Sequence, residues 1–184
     1  MSKLKILGVP GSLRKASYNL SALKAAQKLV PADAEIEIFD LHGIPSFNED
    51  EERTPPERVV EFKKKIREAD AILFATPEYN YSIPGVLKNA IDWASRPYGD
   101  SAWNGKPAAI MGASAGAYGT VRAQYHLRQS FVFLNIQPVQ QPEVLIGPAS
   151  QKFDAEGNLT DEKTKKLISQ LLENLIGLTK QMRK

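Results

Sequence analysis

Two spacings of apolar residues alternate along the chain and predict strands that are each followed by a helix. A short apolar run at 4–9 and a continuous apolar run at 71–75 predict buried strands, the second covered on both faces. Apolar residues at helical spacing predict an amphipathic helix over 19–30. By the same criteria we expect further strands at 35–41, 107–112 and 139–146, and further helices from 54, from 84, from 117 to 134 and from 160.

The order of these elements predicts the fold class. Strands that alternate with helices are joined by right-handed crossovers, so we expect a parallel sheet with helices on both faces, a three-layer α/β sandwich. Five strands in 184 residues fit the flavodoxin-like order 2-1-3-4-5 better than a six-stranded dinucleotide fold. We therefore expect one domain over residues 1–184, with the strand at 35–41 near an edge of the sheet.

Three of the predicted helices begin at residues that favour helix starts. Thr54, two prolines and Glu57 form a pattern that predicts a capping box for the second helix. Pro84 suits the first position of the third helix, because its missing N–H would have no partner there. Thr160 is predicted to cap the last helix.

Composition and charge exclude several classes of function. The chain has no cysteine, which excludes disulfides, thiolate catalysis and cysteine metal sites. Its two histidines, His42 and His126, lack zinc-ligand spacing, so we expect no metal site. The net charge of +3, much of it at the C-terminus, argues against a nucleic-acid partner. No apolar run has the length of a signal-peptide core or a membrane span, so we expect a cytoplasmic protein without membrane insertion.

The loop after the first strand carries more hydrogen-bonding side chains than a turn needs. It reads G-S-L-R-K-A-S-Y-N over 11–19, and Ser17 or Asn19 could cap the following helix. Ser12 and Arg14 are then left for another role, and hydroxyls with a guanidinium at a helix N-terminus favour an anion. Neither G-x-x-x-x-G-K-[ST] nor G-x-G-x-x-G is present, so a monophosphate fits better than a nucleoside triphosphate or a Rossmann-bound dinucleotide.

The loop after the third predicted strand is held between two prolines. Residues 76–85 read T-P-E-Y-N-Y-S-I-P-G, with Tyr79, Asn80, Tyr81 and Ser82 between the prolines. The tyrosines could pack on the surface, or the stiff segment could border one edge of a flat heterocycle. This loop by itself favours the second interpretation only modestly.

The loop after the fourth predicted strand contains G-A-S-A-G at 112–116, which matches the nucleophile elbow of serine hydrolases. That triad needs a histidine late in the chain, but His126 follows Ser114 by only 12 residues and lies in the next predicted helix. The pattern therefore argues against a hydrolase. Small residues at 112–119 instead allow a flat ligand to approach the backbone closely.

Taken together, the three loops resemble those of the NAD(P)H-dependent FMN reductase family, a flavodoxin-like group that includes quinone, azo-dye and chromate reductases. The resemblance covers roughly residues 3 to 176 and rests on 11–19, 77–93 and S-A-G-x-x-G at 114–119. It implies non-covalent FMN whose phosphate is bound by Ser12, Arg14, Ser17 and Asn19. The ring and the ribityl chain would be bordered by Pro77, Glu78, Tyr79, Asn80, Tyr81, Ser82 and Ile83. The pyrimidine side of the ring would be supported by Ser114, Ala115, Gly116 and Gly119.

The resemblance also implies an activity and a state of assembly. A hydride would pass from NADH or NADPH through flavin N5 to a quinone or similar small acceptor by a ping-pong route, with no side chain assigned as catalytic. Homodimers or tetramers are implied, with the flavin near a subunit boundary. The aromatic residues Trp93, Tyr98 and Trp103 and the apolar stretch at 131–134 agree with such an interface.

Two alternatives stay open at this stage. The protein could reduce free FMN for another enzyme, or it could be a flavodoxin-type electron carrier. The carrier is disfavoured because such flavodoxins are usually acidic with a threonine-rich phosphate loop, whereas this chain has a net charge of +3 and no threonine at 11–19. The sequence does not separate NADH from NADPH, and it does not name the acceptor.

Overall fold

A parallel sheet forms the centre of the molecule. In the computed structural model, which describes residues 3–183, the central strands are β1 (Leu4–Pro10), β3 (Ala71–Ala75) and β4 (Pro107–Ala113). The strand β2 (Ala34–Ile38) lies at the edge beside β1, as the sequence predicted. The order β2-β1-β3-β4-β5 confirms the flavodoxin-like topology.

The fifth position of the sheet differs from the prediction of one strand over 139–146. It is divided into β5 (Gln137–Pro138), which pairs with the start of β4, and β6 (Val144–Ile146), which pairs with its end. The chain leaves the sheet between them because Pro142 has no N–H for a strand ladder, and the Gln141 carbonyl accepts instead from the Asn174 side chain of the last helix.

Helices cover both faces of the sheet. The helices α1 (Tyr18–Leu29) and α5 (Glu162–Met182) share one core with Ala71, Leu73 and Ala75 of β3. Ile72 and Phe74 point to the other core, formed with α2 (Glu57–Glu68), α3 (Gly85–Ala94) and α4 (Val121–Leu134). Because alternate residues of a strand face opposite sides, burial on both faces explains why β3 is apolar throughout.

Several helix starts are corrected by the structure. The helix α2 begins only at Glu57, and its N-cap is Pro56 without a side-chain hydrogen bond, so Thr54 does not cap it. The two prolines keep the residues before them extended, which prevents an earlier start. Similarly, Pro84 is the N-cap of α3 rather than its first residue, and α4 begins at Val121 rather than near 117.

The last helix is capped by Asp161 and not by the predicted Thr160. The Asp161 side chain accepts hydrogen bonds from the Thr164 N–H at 2.9 Å and from the Thr164 hydroxyl at 2.5 Å. The hydroxyl contact and a second hydrogen bond from Lys152 lower the pKa of Asp161 to about 2. The cap is therefore ionised at neutral pH, where it suits the positive end of the helix dipole.

The loops that follow the strands are joined at the carboxyl edge of the sheet. The Gly11 N–H donates to the Ala75 carbonyl at 2.8 Å, and the Thr76 N–H donates to the Met111 carbonyl at 3.0 Å. The Ser114 N–H donates to the Ile146 carbonyl at 3.0 Å. The loops after β1, β3, β4 and β6 are thus held next to one another.

None of the helices within residues 3–183 has both the length and the apolar character that a bilayer crossing requires.

Candidate functional site

The first loop, residues 11–17, curls at the N-terminus of α1. The Ser17 hydroxyl accepts from the Leu20 N–H at 3.3 Å and is the N-cap of the helix. The Ser12 hydroxyl accepts from the Arg14 N–H at 3.3 Å. The exposed guanidinium of Arg14 donates to the Ala16 carbonyl and lies 5.6 Å from the Tyr18 ring. The structure therefore brings Ser12, Arg14 and Ser17 together where the helix dipole favours an anion.

Asn19 lies outside this cluster. It is inside α1 and only 2% exposed, and both polar atoms of its amide bind Ala113 at the end of β4. Nδ2 donates to the Ala113 carbonyl at 2.9 Å, and Oδ1 accepts from the Ala113 N–H at 2.8 Å. A role in phosphate binding stays a prediction, but these two hydrogen bonds link α1 to the end of β4, where the third loop begins.

The second loop, residues 76–84, contains a strained turn. The Tyr79 N–H and the Ser82 N–H each donate to the other residue's carbonyl at 3.0 Å. Between them Asn80 and Tyr81 have φ of +50° and +63°, which makes the turn type I′. Asparagine tolerates this conformation, whereas for tyrosine it costs about 1–2 kcal/mol. The turn holds the rings of Tyr79 and Tyr81 in solvent at the carboxyl edge of the sheet.

Glu78 has a structural contact that the sequence did not predict. Its carboxylate accepts from the Arg122 N–H at 2.9 Å and from the Ala123 N–H at 3.2 Å. It also accepts from Arg122 Nη1 at 3.1 Å. Glu78 thus caps α4 from another loop, since Thr120 makes no side-chain cap bond. The side chain is occupied by the helix, so the backbone of this residue is what remains for a ligand.

Of the other residues predicted in the second loop, some lie at the site and others support the loop from beneath. The Pro77 carbonyl accepts from the Thr76 hydroxyl at 2.8 Å. Ile83 packs against the core beneath the loop. Ser82 Oγ lies 3.0 Å from Nδ1 of His126 on α4, so this histidine, which the sequence left unassigned, contacts the site.

The third loop, residues 114–120, depends on small residues for its packing. The Ser114 hydroxyl accepts from the Gly116 N–H at 3.2 Å, and Ala115 and Gly116 are exposed. Gly119 has φ of +59°, and a Cβ there would lie 3.0 Å from the Leu145 carbonyl carbon. At Gly147, after β6, a Cβ would lie 2.4 Å from the Gly116 carbonyl oxygen. The third loop therefore rests directly on the backbone that follows the last strand.

The hydrolase interpretation gains no support from this geometry. Ser114 Oγ contacts the Gly116 N–H, and the His126 ring contacts Ser82. The serine and the histidine that a nucleophilic mechanism would pair thus have different partners. The nucleophile-elbow pattern at 112–116 instead reflects the close packing of the third loop.

The charges at this edge favour an anionic ligand. Arg14 and Lys15 are exposed in the first loop, and Arg122 lies at the start of α4. The single acidic residue of the three loops is Glu78, whose carboxylate is engaged by Arg122 and two helix N–H groups. Positive charge is therefore left in excess, as a phosphate would require.

Two sizeable cavities lie elsewhere on the molecule. One of about 490 Å³ lies beside β2 and α2, with Glu37 and Lys65 in its lining. The other, of about 750 Å³, lies between α1 and residues 156–159. Their linings include none of the anion-binding or turn residues described above, so we assign the site by its chemistry and its place in the sheet rather than by cavity size.

The three loops fit FMN. Arg14, Ser12 and the N-terminus of α1 would supply donors for its phosphate. Asn80, Tyr81, Ala115 and Ala117 have backbone N–H groups without a hydrogen bond within residues 3–183, and these can face the polar edge of the ring. At Gly11 a Cβ would lie 3.2 Å from Pro77 and Thr76, so the first and second loops pack against each other.

A flavodoxin-like sheet with these loops is the architecture of an FMN-binding oxidoreductase. The sequence model of the NADPH-dependent FMN reductase family matches residues 4–151. The chain is 57% identical to an NAD(P)H-dependent FMN reductase of Pseudomonas aeruginosa, over 94% of this chain and 93% of that protein. It is 45% identical to a 2-hydroxy-1,4-benzoquinone reductase of a Burkholderia species, over 92% of this chain and 93% of that one.

Solved structures agree with this assignment. The flavoenzyme FerB, an NAD(P)H:acceptor oxidoreductase of Paracoccus denitrificans, superposes with a TM-score of 0.89 at 37% identity, over 97% of this chain and 98% of FerB. The chain therefore belongs to the NADPH-dependent FMN reductase family, and it is an oxidoreductase with FMN as its cofactor.

Some residues of the site escaped the sequence analysis. Three such residues lie close in space to the predicted ones: Thr76, Arg122 and Gly147. The contacts that bring them there join segments far apart in the chain. Of these, only Gly147 carried a usable signal, since a glycine directly after a predicted strand can indicate a close approach of backbone.

Proposed function

We propose that this protein is an FMN-dependent NAD(P)H oxidoreductase that reduces quinones and similar small acceptors. The observation that carries the proposal is that a loop favourable to an anion, with Arg14 shortly before α1, packs beside two loops with open backbone donors. The names of the relatives support it, since they include FMN reductases and quinone reductases. Azo dyes and chromate are further candidate acceptors, and a cytoplasmic location, where NAD(P)H is available, is part of the proposal.

The residues of the chain would bind FMN and orient the reactants, while the cofactor would supply the redox chemistry. When bound, FMN would supply the redox chemistry, which is hydride transfer from NAD(P)H and two-electron transfer to the acceptor. Arg14 and the α1 N-terminus would hold the phosphate end, and the turn at 79–82 would hold the ring edge. The Glu78 carboxylate is engaged by the start of α4 and is therefore not assigned as a proton donor. Side chains therefore position the reactants and supply no nucleophile.

Reconstitution with FMN followed by anaerobic titration tests this function. We expect a yellow protein that NAD(P)H bleaches and that a quinone then restores. A protein that stays colourless with FMN would contradict the proposal. A yellow protein that NAD(P)H does not bleach would favour the electron carrier, and turnover with free FMN far above that with quinones would favour supply of reduced flavin to another enzyme.

Replacing Arg14 by alanine should weaken FMN binding. The change removes a charge-assisted contact with the phosphate, which is worth about 1.5–3 kcal/mol, or roughly 10- to 150-fold in Kd. Flavin fluorescence titration of the apoprotein measures it. Lys15→Ala is the control, because it removes the neighbouring exposed charge without a guanidinium contact to the loop. Equal FMN affinity in Arg14→Ala and wild type would remove Arg14 from the phosphate site.

We also propose that a second copy of the chain covers the C-terminal half of α4. Val132 and Phe133 are 85% and 76% exposed there, beside the exposed ring of Tyr98. A cavity of about 230 Å³ opens between Phe133 and Tyr98 and can receive a partner side chain. Trp93 and Trp103, which the sequence placed with this interface, are instead buried in the core of their own subunit. Their indole N–H groups donate to the Pro45 and Ile91 carbonyls.

Substituting Val132 by glutamate should dissociate the assembly. A charge in an apolar contact is costly because it must lose water without gaining a partner. Sedimentation velocity of wild type is expected to show a dimer or tetramer, and Val132→Glu a smaller species. Val60→Glu is the matched control, since Val60 is a 50% exposed valine on α2. A wild-type monomer at micromolar concentration would contradict this proposal and leave the redox function untouched.

A further inference from the structure

Two tyrosines and an arginine form an exposed cluster beside the turn of the second loop. The guanidinium carbon of Arg122 lies 4.0 Å from the Tyr81 ring centroid and 5.9 Å from that of Tyr118. Both tyrosines are largely exposed, at 64% and 74%. The cluster joins the second loop, the third loop and the start of α4, which is the ring end of the site.

Backbone strain supports a functional role for this cluster. Tyr81 takes a left-handed conformation, with φ of +63°, at a position where glycine or asparagine is the common choice. The reciprocal bonds between Tyr79 and Ser82 hold the turn in this shape, so the ring is presented next to Arg122. Strain of this kind persists where the orientation of a side chain is used.

The Arg122 guanidinium keeps unused donors. Nη1 donates to Glu78 at 3.1 Å, but the Nη2 and Nε groups have no hydrogen-bond partner within residues 3–183. Glu78 does not neutralise the site, because its charge also balances the N-terminus of α4 through the Arg122 and Ala123 N–H groups. A planar cation with free donors, close to two aromatic rings, is suited to a flat anion with oxygen atoms at its edge.

We propose that Arg122, with Tyr81 and Tyr118, makes the enzyme selective for quinones that carry an ionised ring hydroxyl over neutral quinones. The inference rests on the proposed function and specifies its acceptor. A 2-hydroxyquinone is a vinylogous carboxylic acid and is an anion at neutral pH, with its charge shared between two oxygens. The name of the Burkholderia relative refers to such a quinone.

The overall reaction balances with the reactants already named. NAD(P)H loses one hydride and becomes NAD(P)+. The hydroxyquinone anion gains one hydride equivalent and two protons from solvent, and its carbonyl oxygens become hydroxyls of neutral benzene-1,2,4-triol. Arg122 only binds the anion, and neither gains nor loses a proton. Because the chain has no cysteine, a quinone cannot be trapped on it as a thiol adduct.

Binding to the oxidised holoenzyme, without NAD(P)H, tests the proposal apart from turnover. We would titrate 2-hydroxy-1,4-benzoquinone and 2-methoxy-1,4-benzoquinone, which has similar size but cannot ionise, and follow the flavin spectrum. In Arg122→Gln the Kd of the hydroxyquinone should rise on the order of tenfold or more, while that of the methoxyquinone changes by less than about twofold. Lys88→Gln, which removes one exposed charge from the neighbouring helix α3, should leave both constants unchanged.

Rapid-mixing kinetics separates the possible ligands of Arg122. Reduction of Arg122→Gln by NADPH and by NADH should keep its wild-type rate, whereas reoxidation by the hydroxyquinone should slow more than reoxidation by the methoxyquinone. Equal losses for both quinones, no loss for either, or slower reduction by the nicotinamides would each overturn the proposal. The last result would assign Arg122 to the phosphates of the donor.

These outcomes are distinguishable from failure of the proposed function. A wild-type protein that binds no FMN, or is not bleached by NAD(P)H, fails at the earlier test before any quinone is added. A bleached enzyme that reduces the methoxyquinone as well as the hydroxyquinone, with unchanged selectivity in Arg122→Gln, would overturn only this inference. An unchanged circular dichroism spectrum of Arg122→Gln verifies that the variant is folded.

Discussion

Replacing Gly112 by alanine is expected to destabilise the protein by roughly 3 kcal/mol or more, the largest effect of any single methyl group at the site. The added Cβ would lie 1.9 Å from Thr120 Oγ1 and 2.4 Å from the Thr76 carbonyl oxygen. A threonine side chain can rotate away, but the carbonyl belongs to the backbone, and Thr76 itself donates to Met111 of β4. The end of β4 or the second loop must therefore move, and FMN affinity should fall with stability.

Urea unfolding of the apoprotein measures this effect without the cofactor. Gly177→Ala is the matched control, because a Cβ at this helical position in α5 would meet no atom within 4 Å. Alanine there should stabilise the protein by about 0.5–1 kcal/mol through helix propensity. A Gly112→Ala protein that unfolds at the wild-type urea concentration would contradict the close packing of Gly112 against Thr76 and Thr120.

Replacing Asn19 by leucine should lower the free energy of unfolding of the apoprotein by about 2–4 kcal/mol. The substitution leaves the N–H and the carbonyl of Ala113 without partners in a buried position, and each such group costs about 1–3 kcal/mol. FMN binding should weaken as well, because α1 and the third loop lose the contact that fixes their separation.

The apoprotein measurement also decides between two roles for Asn19. If the side chain only bound phosphate, Asn19→Leu would lower FMN affinity and leave the stability of the apoprotein unchanged. Ser12→Ala is the companion variant, since the Ser12 hydroxyl bonds only within its own exposed loop. Its apoprotein stability should stay within about 0.5 kcal/mol of wild type. Equal stability of Asn19→Leu and wild type would contradict a structural role for the two hydrogen bonds between Asn19 and Ala113.

Much of the fold could be predicted because burial on two faces leaves a strong pattern. The run at 71–75 is apolar throughout, and it forms the central strand β3. The prediction failed for 139–146, where apolar residues suggested one strand, because the pattern does not register the missing N–H of Pro142 or the Asn174 side chain that binds Gln141. Helix starts at 54 and 160 were also misplaced, since adjacent residues compete for the cap.

The site could be predicted at the level of loops but not of contacts. Topology places the loops after β1, β3 and β4 together, and the fold confirms that they are adjacent. The partners of individual side chains did not follow. Glu78 binds the start of α4, 44 residues away, and Asn19 binds Ala113, 94 residues away. No local pattern indicates a partner so distant in the chain.

The sequence by itself determined the class of fold, the family resemblance and the identity of the cofactor. These depend on short-range features: the apolar periodicity of each element and the motifs at 11–19, 77–93 and 114–119. Only the tertiary structure showed which side chains hold the loops together. Glu78 and Asn19 make such contacts, and Arg122 is placed by the fold close to Tyr81 and Tyr118. The physical reason is that a polar side chain binds whatever donor or acceptor the fold brings within about 3 Å.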